Sequence, residues 1–174
     1  MSHINIEIKA RTKKTEYIRQ FLLEHSADFK GTDHQTDTYF EVLNGRLKLR
    51  QGNIENSLIF YNRANVSGLK KSDFDLMPVE NGEILKMILG KAVGVKVVVK
   101  KSREIYYIGN VKFHLDILDG LGRFVEIEAT NMNCDLSIDD LREQCNTYMG
   151  KFGISEDDLI PGSYSDMLLG SSSL

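Results

Sequence analysis

Cysteine is scarce in this sequence of 174 residues, which holds only Cys134 and Cys145, too few for a disulfide framework. No apolar run approaches the roughly 18 residues of a membrane-spanning helix, and the first residues carry no signal-peptide pattern. A disulfide scaffold and a helical membrane protein are therefore excluded, and the cytosol is the expected compartment. Positive charge is not in excess either, with 22 Lys and Arg against 25 Asp and Glu and a net charge of -3. A general nucleic-acid or membrane-surface binder is not expected, and affinity for polyanions would need a locally concentrated site. Glycine-rich phosphate loops of the Walker or Rossmann type are missing, so phosphate binding would rest on side chains rather than on a helix N-terminus. Internal repeats and heptads are absent as well.

What is present is a series of alternating segments. In Asn5-Ile6-Glu7-Ile8-Lys9 the isoleucines fall on one side and Asn5, Glu7 and Lys9 on the other, as a strand with one greasy and one chemical face requires. Lys13 to His25 places Tyr17, Ile18, Phe21 and Leu22 on one helical face, with Thr12 as the expected N-cap. Gln35 to Val42 reads as a strand, and Asn44-Gly45 turns it into a second one over Arg46 to Gln51. Ser57 to Ala64 follows as a strand, then a polar, mobile loop over Asn65 to Lys71 and a strand over Asp73 to Val79 that Pro78 places at a strand end or edge.

From Glu80 to Lys91, Ile84, Leu85, Ile88 and Leu89 form a helical stripe. A long hairpin joins Val95–Ile108 to Val111–Leu118 through Gly109-Asn110, and Arg123 to Ala129 adds a last strand. Ser137-x-x-Asp140 opens a final helix that runs through Leu141, Cys145 and Tyr148 to Phe152. Cys145 is thus a small core residue and Cys134 a loop residue, and neither is assigned chemistry. Residues 1–169 read as a single α+β domain of about eight antiparallel strands and three helices, the sheet curling into a closed or nearly closed barrel, with 170–174 as a frayed tail.

The charged residues in phase within these strands are Glu7 and Lys9, Lys48 and Arg50, Arg63, Lys101 and Arg103, Asp116, and Glu126 and Glu128. A half-solvated sheet would carry such charges on its wet face. Three amphipathic helices, however, are available to cover the apolar face, and the charges come in like-signed pairs that repel unless something of opposite sign lies between them. A polyphosphate with a divalent metal satisfies both sets. His114 shares the parity of Asp116, and Tyr39 and Tyr61 share that of the charged faces; these three rank second. Lys48 and Lys112 point inward by alternation, and Lys70-Lys71 reads as a solvated loop pair.

The segment from Asn5 to Lys9 resembles the Glu-x-Glu-x-Lys signature of the CYTH superfamily, which includes class IV (CyaB-type) adenylyl cyclases, thiamine triphosphatases and inorganic triphosphatases. The resemblance continues through Gln35-Thr-Asp37-Thr-Tyr39-Phe40, Gly45-Arg-Leu-Lys48-Leu-Arg50, Tyr61-Asn-Arg63, Lys101-Ser-Arg103, His114-Leu-Asp116, Glu126-Ile-Glu128 and Ser163-Tyr-Ser-Asp. It implies an eight-stranded antiparallel triphosphate tunnel that works with Mg²⁺ or Mn²⁺. It also implies that Lys9, Lys48, Arg50, Arg63, Lys101 and Arg103 grip phosphate, that Glu7, Asp116, Glu126 and Glu128 hold metal, and that Lys9, Arg63, Lys101 and Glu126 carry the catalysis. Asn5 departs from the signature, because an amide oxygen can ligate a hard cation but brings no charge.

The resemblance to the CyaB-type branch implies an enzyme that converts ATP to cyclic AMP and pyrophosphate. The alternatives are a triphosphatase for thiamine triphosphate, inorganic triphosphate or a nucleoside triphosphate, and a non-catalytic holder of organic polyphosphates. The expected partner is a small-molecule triphosphate, not nucleic acid or membrane, with a homodimer left open.

Overall fold

The computed structural model describes residues 3–171. In chain order the elements are β1 (His3–Arg11), α1 (Thr15–Glu24), β2 (Asp28–Phe40), β3 (Arg46–Gln51), β4 (Asn56–Arg63), β5 (Lys70–Pro78), α2 (Gly82–Ala92), β6 (Val95–Ile108), β7 (Val111–Leu118), β8 (Gly122–Thr130), α3 (Ile138–Lys151) and α4 (Tyr164–Ser171), with a 3₁₀ turn at Glu156–Asp158. The strands form a closed barrel in the order β1-β5-β4-β3-β2-β6-β7-β8, each neighbour antiparallel, and β8 pairs back onto β1. Closure removes every open sheet edge.

The alternation of β1 sets the design. Ile6, Ile8 and Ala10 point outward and are buried beneath α1 and α3 with Ile18, Leu22, Leu141, Cys145 and Phe152, joined by Phe113, Val125 and Ile127 from β7 and β8. Asn5, Glu7 and Lys9 point into the barrel. The main apolar core therefore lies outside the ring of strands. A smaller cluster of Tyr39, Tyr61, Val99, Leu118, Phe124 and Tyr164 packs with residues of α4. Gly45 makes the β2–β3 turn at φ 63°, where a Cβ would also stand 2.7 Å from the Phe60 ring, so glycine is required there. Ser137 caps α3 in a capping box with Asp140.

Several boundaries differ from the expectations. The β2 strand begins at Asp28 rather than Gln35 and accommodates a register shift between Phe29 and Gly31. Such an irregularity breaks the period-two pattern that reveals a strand in sequence. The N-cap of α1 is Lys14 without a side-chain cap, while the Thr12 hydroxyl accepts from Lys14 N at 2.9 Å, two residues ahead of its own position. The expected loop over Asn65–Lys71 is shorter, since Lys70 and Lys71 already belong to β5. The α2 stripe lies only loosely against β2 and β3: no residue of α2 is buried, Leu85 and Leu89 are half-buried, and Ile84 and Ile88 remain about half exposed. A fourth helix, α4, adds to the three expected and includes Gly170 and Ser171 of the expected frayed tail; the rest of that tail, 172–174, lies outside the described residues.

Candidate functional site

The barrel encloses a cavity of about 770 Å³ that includes space open to solvent, within the range of small-molecule sites. Its charged lining comprises Glu7, Lys9, Asp37, Lys48, Arg50, Arg63, Lys101, Arg103, Lys112, Glu126 and Glu128, with Asn5 and His114 among them. Ile59, Phe74, Leu76, Tyr39 and Tyr61 line the same space. All of these residues come from alternating positions on the eight strands, so strand alternation delivers them to one chamber.

The cations are already held by carboxylates of the protein. Asp37 accepts from Arg50 Nε and Nη2, each at 2.9 Å, from Lys101 Nζ at 2.9 Å and from Lys48 Nζ at 3.2 Å. Burial alone would push the Asp37 carboxyl upward, but Arg50, Lys101 and Lys48 reverse that and hold it well below the usual range. Burial, with Arg50 and Arg103 nearby, pushes Lys101 down against the pull of Asp37. Asp116 is gripped by Arg103 through Nε–Oδ1 at 2.7 Å and Nη2–Oδ2 at 2.6 Å, and Tyr164 donates to Oδ2 at 2.6 Å. Glu126 Oε2 accepts from Arg103 at 3.0 Å and stands 3.8 Å from Lys9 Nζ. Glu55 pairs with Lys112 and accepts from Arg50 Nη1 at 3.0 Å, and Glu7 pairs with Arg63.

Some groups are left over. Arg63 Nε and Nη2, Asn5 Oδ1 and both ring nitrogens of His114 are buried without a hydrogen-bond partner among the described residues. An orphaned buried donor or acceptor costs about 1–3 kcal/mol, so donors and acceptors of this kind on one cavity wall suit a polar ligand or water there. Glu128 sits opposite Glu7 in the β1–β8 pairing. Its carboxyl is raised by burial and by repulsion from Glu126 and Glu7, against the opposing pull of Lys112. Burial first, then Arg103, pushes His114 down to about 3, which leaves a neutral imidazole at neutral pH. Burial raises the Tyr39 and Tyr61 hydroxyls to about 12, so both are neutral donors at the cavity wall.

A CYTH domain profile matches residues 3–164 of the chain. The chain belongs to the CYTH family. A candidate adenylate cyclase of Methanocaldococcus jannaschii is 24% identical over 94% of this chain and 98% of its own length. Among solved structures, a candidate adenylate cyclase of Vibrio parahaemolyticus superposes with a TM-score of 0.77 at 18% identity, covering 97% of this chain and 99% of its own. A candidate adenylyl cyclase from Hippeastrum, described as having a dominant triphosphatase activity, superposes with a TM-score of 0.62 at 14% identity over 98% of this chain and 96% of its own. These likenesses agree with the eight-stranded antiparallel ring.

Within this CYTH protein the strands bring Lys9, Lys48, Arg50, Arg63, Lys101 and Arg103 into one chamber with Glu7, Glu126 and Glu128. Asp116 is placed differently from the other carboxylates, with both oxygens occupied by Arg103 and Tyr164. The cationic pairs do not depend on a ligand as the sequence implied, since Asp37 lies among Lys48, Arg50 and Lys101 and Asp116 neutralises Arg103, whereas Glu126 and Glu128 still repel each other. Lys70 is not a solvated loop residue. It is buried, with Nζ donating to Ile160 O at 2.6 Å, and burial followed by Arg63 and Lys9 pushes it down to about 8.

Sequence reasoning left three further residues unassigned. Asp37 has the inward parity of Tyr39, so the strand pattern was enough to find it. Tyr164 lies in the Ser163-Tyr segment but shows no periodicity that points it at Asp116. Glu55 precedes β4 in a turn that Asp33 fixes by accepting from Ile54 N at 2.9 Å and Glu55 N at 3.0 Å, and a turn residue carries no alternation to read.

Proposed function

We propose that this CYTH protein is a metal-dependent enzyme acting on a nucleoside triphosphate in the barrel cavity, with ATP converted to cyclic AMP and pyrophosphate. One observation carries the reading: a chamber lined by cations and carboxylates, with orphaned donors on Arg63, also has apolar and aromatic lining from Ile59, Phe74, Leu76, Tyr39 and Tyr61. Charged lining suits the phosphates, and apolar lining suits an organic substituent that inorganic triphosphate lacks.

In this reading the ribose 3′-hydroxyl attacks the α-phosphorus in line and pyrophosphate leaves. Lys9, Arg63 and Lys101, with Lys48, Arg50 and Arg103, hold the phosphate oxygens and neutralise charge on the departing pyrophosphate. Phosphate oxygens replace Asp37 and Glu7 as partners of these cations when substrate enters. Arg63 gains acceptors for Nε and Nη2. The donor set fits a divalent cation, because Asn5 Oδ1 and the His114 nitrogens are buried without partners of their own and line the cavity beside the Glu128 carboxylate. Glu7, Glu126 and Glu128 would hold Mg²⁺ or Mn²⁺, which when bound offsets negative charge on the phosphates.

The decisive experiment is incubation with ATP and Mg²⁺ or Mn²⁺, following every product. Cyclic AMP with pyrophosphate is the expected outcome, and Glu126→Gln is expected to abolish it. Orthophosphate release without cyclic AMP would assign a triphosphatase, and tight binding with no product a polyphosphate holder.

A further inference from the structure

We propose that His114 joins Glu126 and Glu128 as a nitrogen ligand of the cation site, so that the protein takes a first-row transition ion such as Mn²⁺ in preference to Mg²⁺. The inference rests on the reading above that the chamber holds a divalent cation, and it specifies which one and through which donors.

The placement follows from strand register. His114 on β7 lies directly opposite Glu126 on β8, and Glu128 follows two residues along the same inner face. One ligand atom from each residue can be chosen so that all lie within 4.8 Å of one another. Two ligands on opposite sides of one ion stand roughly 4–4.5 Å apart, given bond lengths of about 2.0–2.2 Å to nitrogen and oxygen, so little closing of the side chains is needed. Glu126 Oε1 is not among the oxygens used by Arg103 and Lys9.

His114 itself is the second, independent observation. It is 1% exposed, and neither ring nitrogen has a hydrogen-bond partner. Nδ1 comes no closer to Glu126 Oε2 than 3.5 Å, beyond the usual N–H···O range. A structural histidine at this depth would bond a carbonyl or hydroxyl. Instead the ring lies against the carboxylates and lines the cavity.

Asn5 also lines the cavity and contributes a neutral amide oxygen, Oδ1, that is orphaned and brings no charge. Mg²⁺ favours charged and water oxygens and resists dehydration. Imidazole nitrogen suits first-row transition ions better than Mg²⁺, with Mn²⁺ the weakest of that series and affinity rising from it through Fe²⁺ and Co²⁺. A neutral amide oxygen together with an imidazole nitrogen shifts the balance away from Mg²⁺.

The test uses the full chain loaded with Mn²⁺ alone and read by pulsed electron paramagnetic resonance. A nitrogen coupling to Mn²⁺ is expected in wild type, and it should change when the protein is made with ¹⁵N-histidine. His25 and His34 are exposed and do not line the cavity, and the protein is made with His3→Ala, so that a histidine coupling reports His114. His114→Gln should remove the coupling and weaken Mn²⁺ binding at least tenfold, with Mg²⁺ binding changed less than threefold. His114→Asp should bind Mn²⁺ without the nitrogen signal. If His114→Gln fails to fold, the isotope comparison in the His3→Ala protein still decides. Mn²⁺ bound with no nitrogen coupling overturns the role of His114 while the carboxylate site stands. No Mn²⁺ bound at all overturns the cation-site reading together with it.

Discussion

Lys70 shows how one side chain records the electrostatics of the whole lumen. Its ammonium is buried near Arg63 and Lys9 and bonded only to carbonyls, so folding lowers it from 10.5 to about 8. Below about 8 both folded and unfolded chains carry the proton and the full cost of burying the charge is felt. Between about 8 and 10.5 the unfolded chain binds more protons, so stability rises with pH across that window. Urea titrations of wild type and Lys70→Met at intervals from pH 7 to 11 should show that rise in wild type and a flatter profile in the variant. The residue was opaque to sequence reading because Gly68 and the polar stretch around it imitate a loop, while burial here comes from the Ile160–Gly162 segment ninety residues away in the chain. Asp37, by contrast, needed only the period of its strand. Interior acids that neutralise interior bases were legible as positions but not as partners, since the partner lies on a neighbouring strand whose register no single segment specifies.

At the scale of elements, α1 and α3 bury residues in the main core and α2 buries none. Phe113 is fully buried and packs edge-on against Tyr148 and Phe152 of the α3 region. Phe113→Ala should therefore cost about 3–5 kcal/mol. Ile88 on α2 is 52% exposed, and Ile88→Ser should stay within about 0.5 kcal/mol. Denaturant midpoints of the two variants check both values. The helical stripe of α2 was read correctly as a helix, but its period carries no information on whether a sheet lies beneath it. The long hairpin of β6 and β7 was legible because Gly109-Asn110 and the β-branched runs agree with each other. The start of β2 was not, because the irregularity before Gly31 interrupts the alternation that would have announced it.

For the molecule as a whole, the balance of charge inside the barrel matters more than the net charge of the chain. Asp37 holds Lys48, Arg50 and Lys101 in one place, so Asp37→Asn leaves three buried cations facing one another. A loss of about 3–5 kcal/mol is expected from breaking such a buried network. Tripolyphosphate should then raise the melting temperature of the variant more than that of wild type, because it supplies the anion the substitution removed. A thermal-shift titration of both proteins makes the comparison, and equal shifts would mean that Asp37 does not compete for the cations a triphosphate would use.

The position of the apolar packing has a consequence for descent. Because Ile6, Ile8, Phe113, Val125 and Ile127 are packed outside the strands against α1 and α3, the scaffold that keeps the chain folded and the surface that meets a ligand share backbone but not side chains. Odd and even positions of one strand answer to different demands. A lineage built this way can exchange lumen residues and explore new chemistries without first dismantling what holds it together.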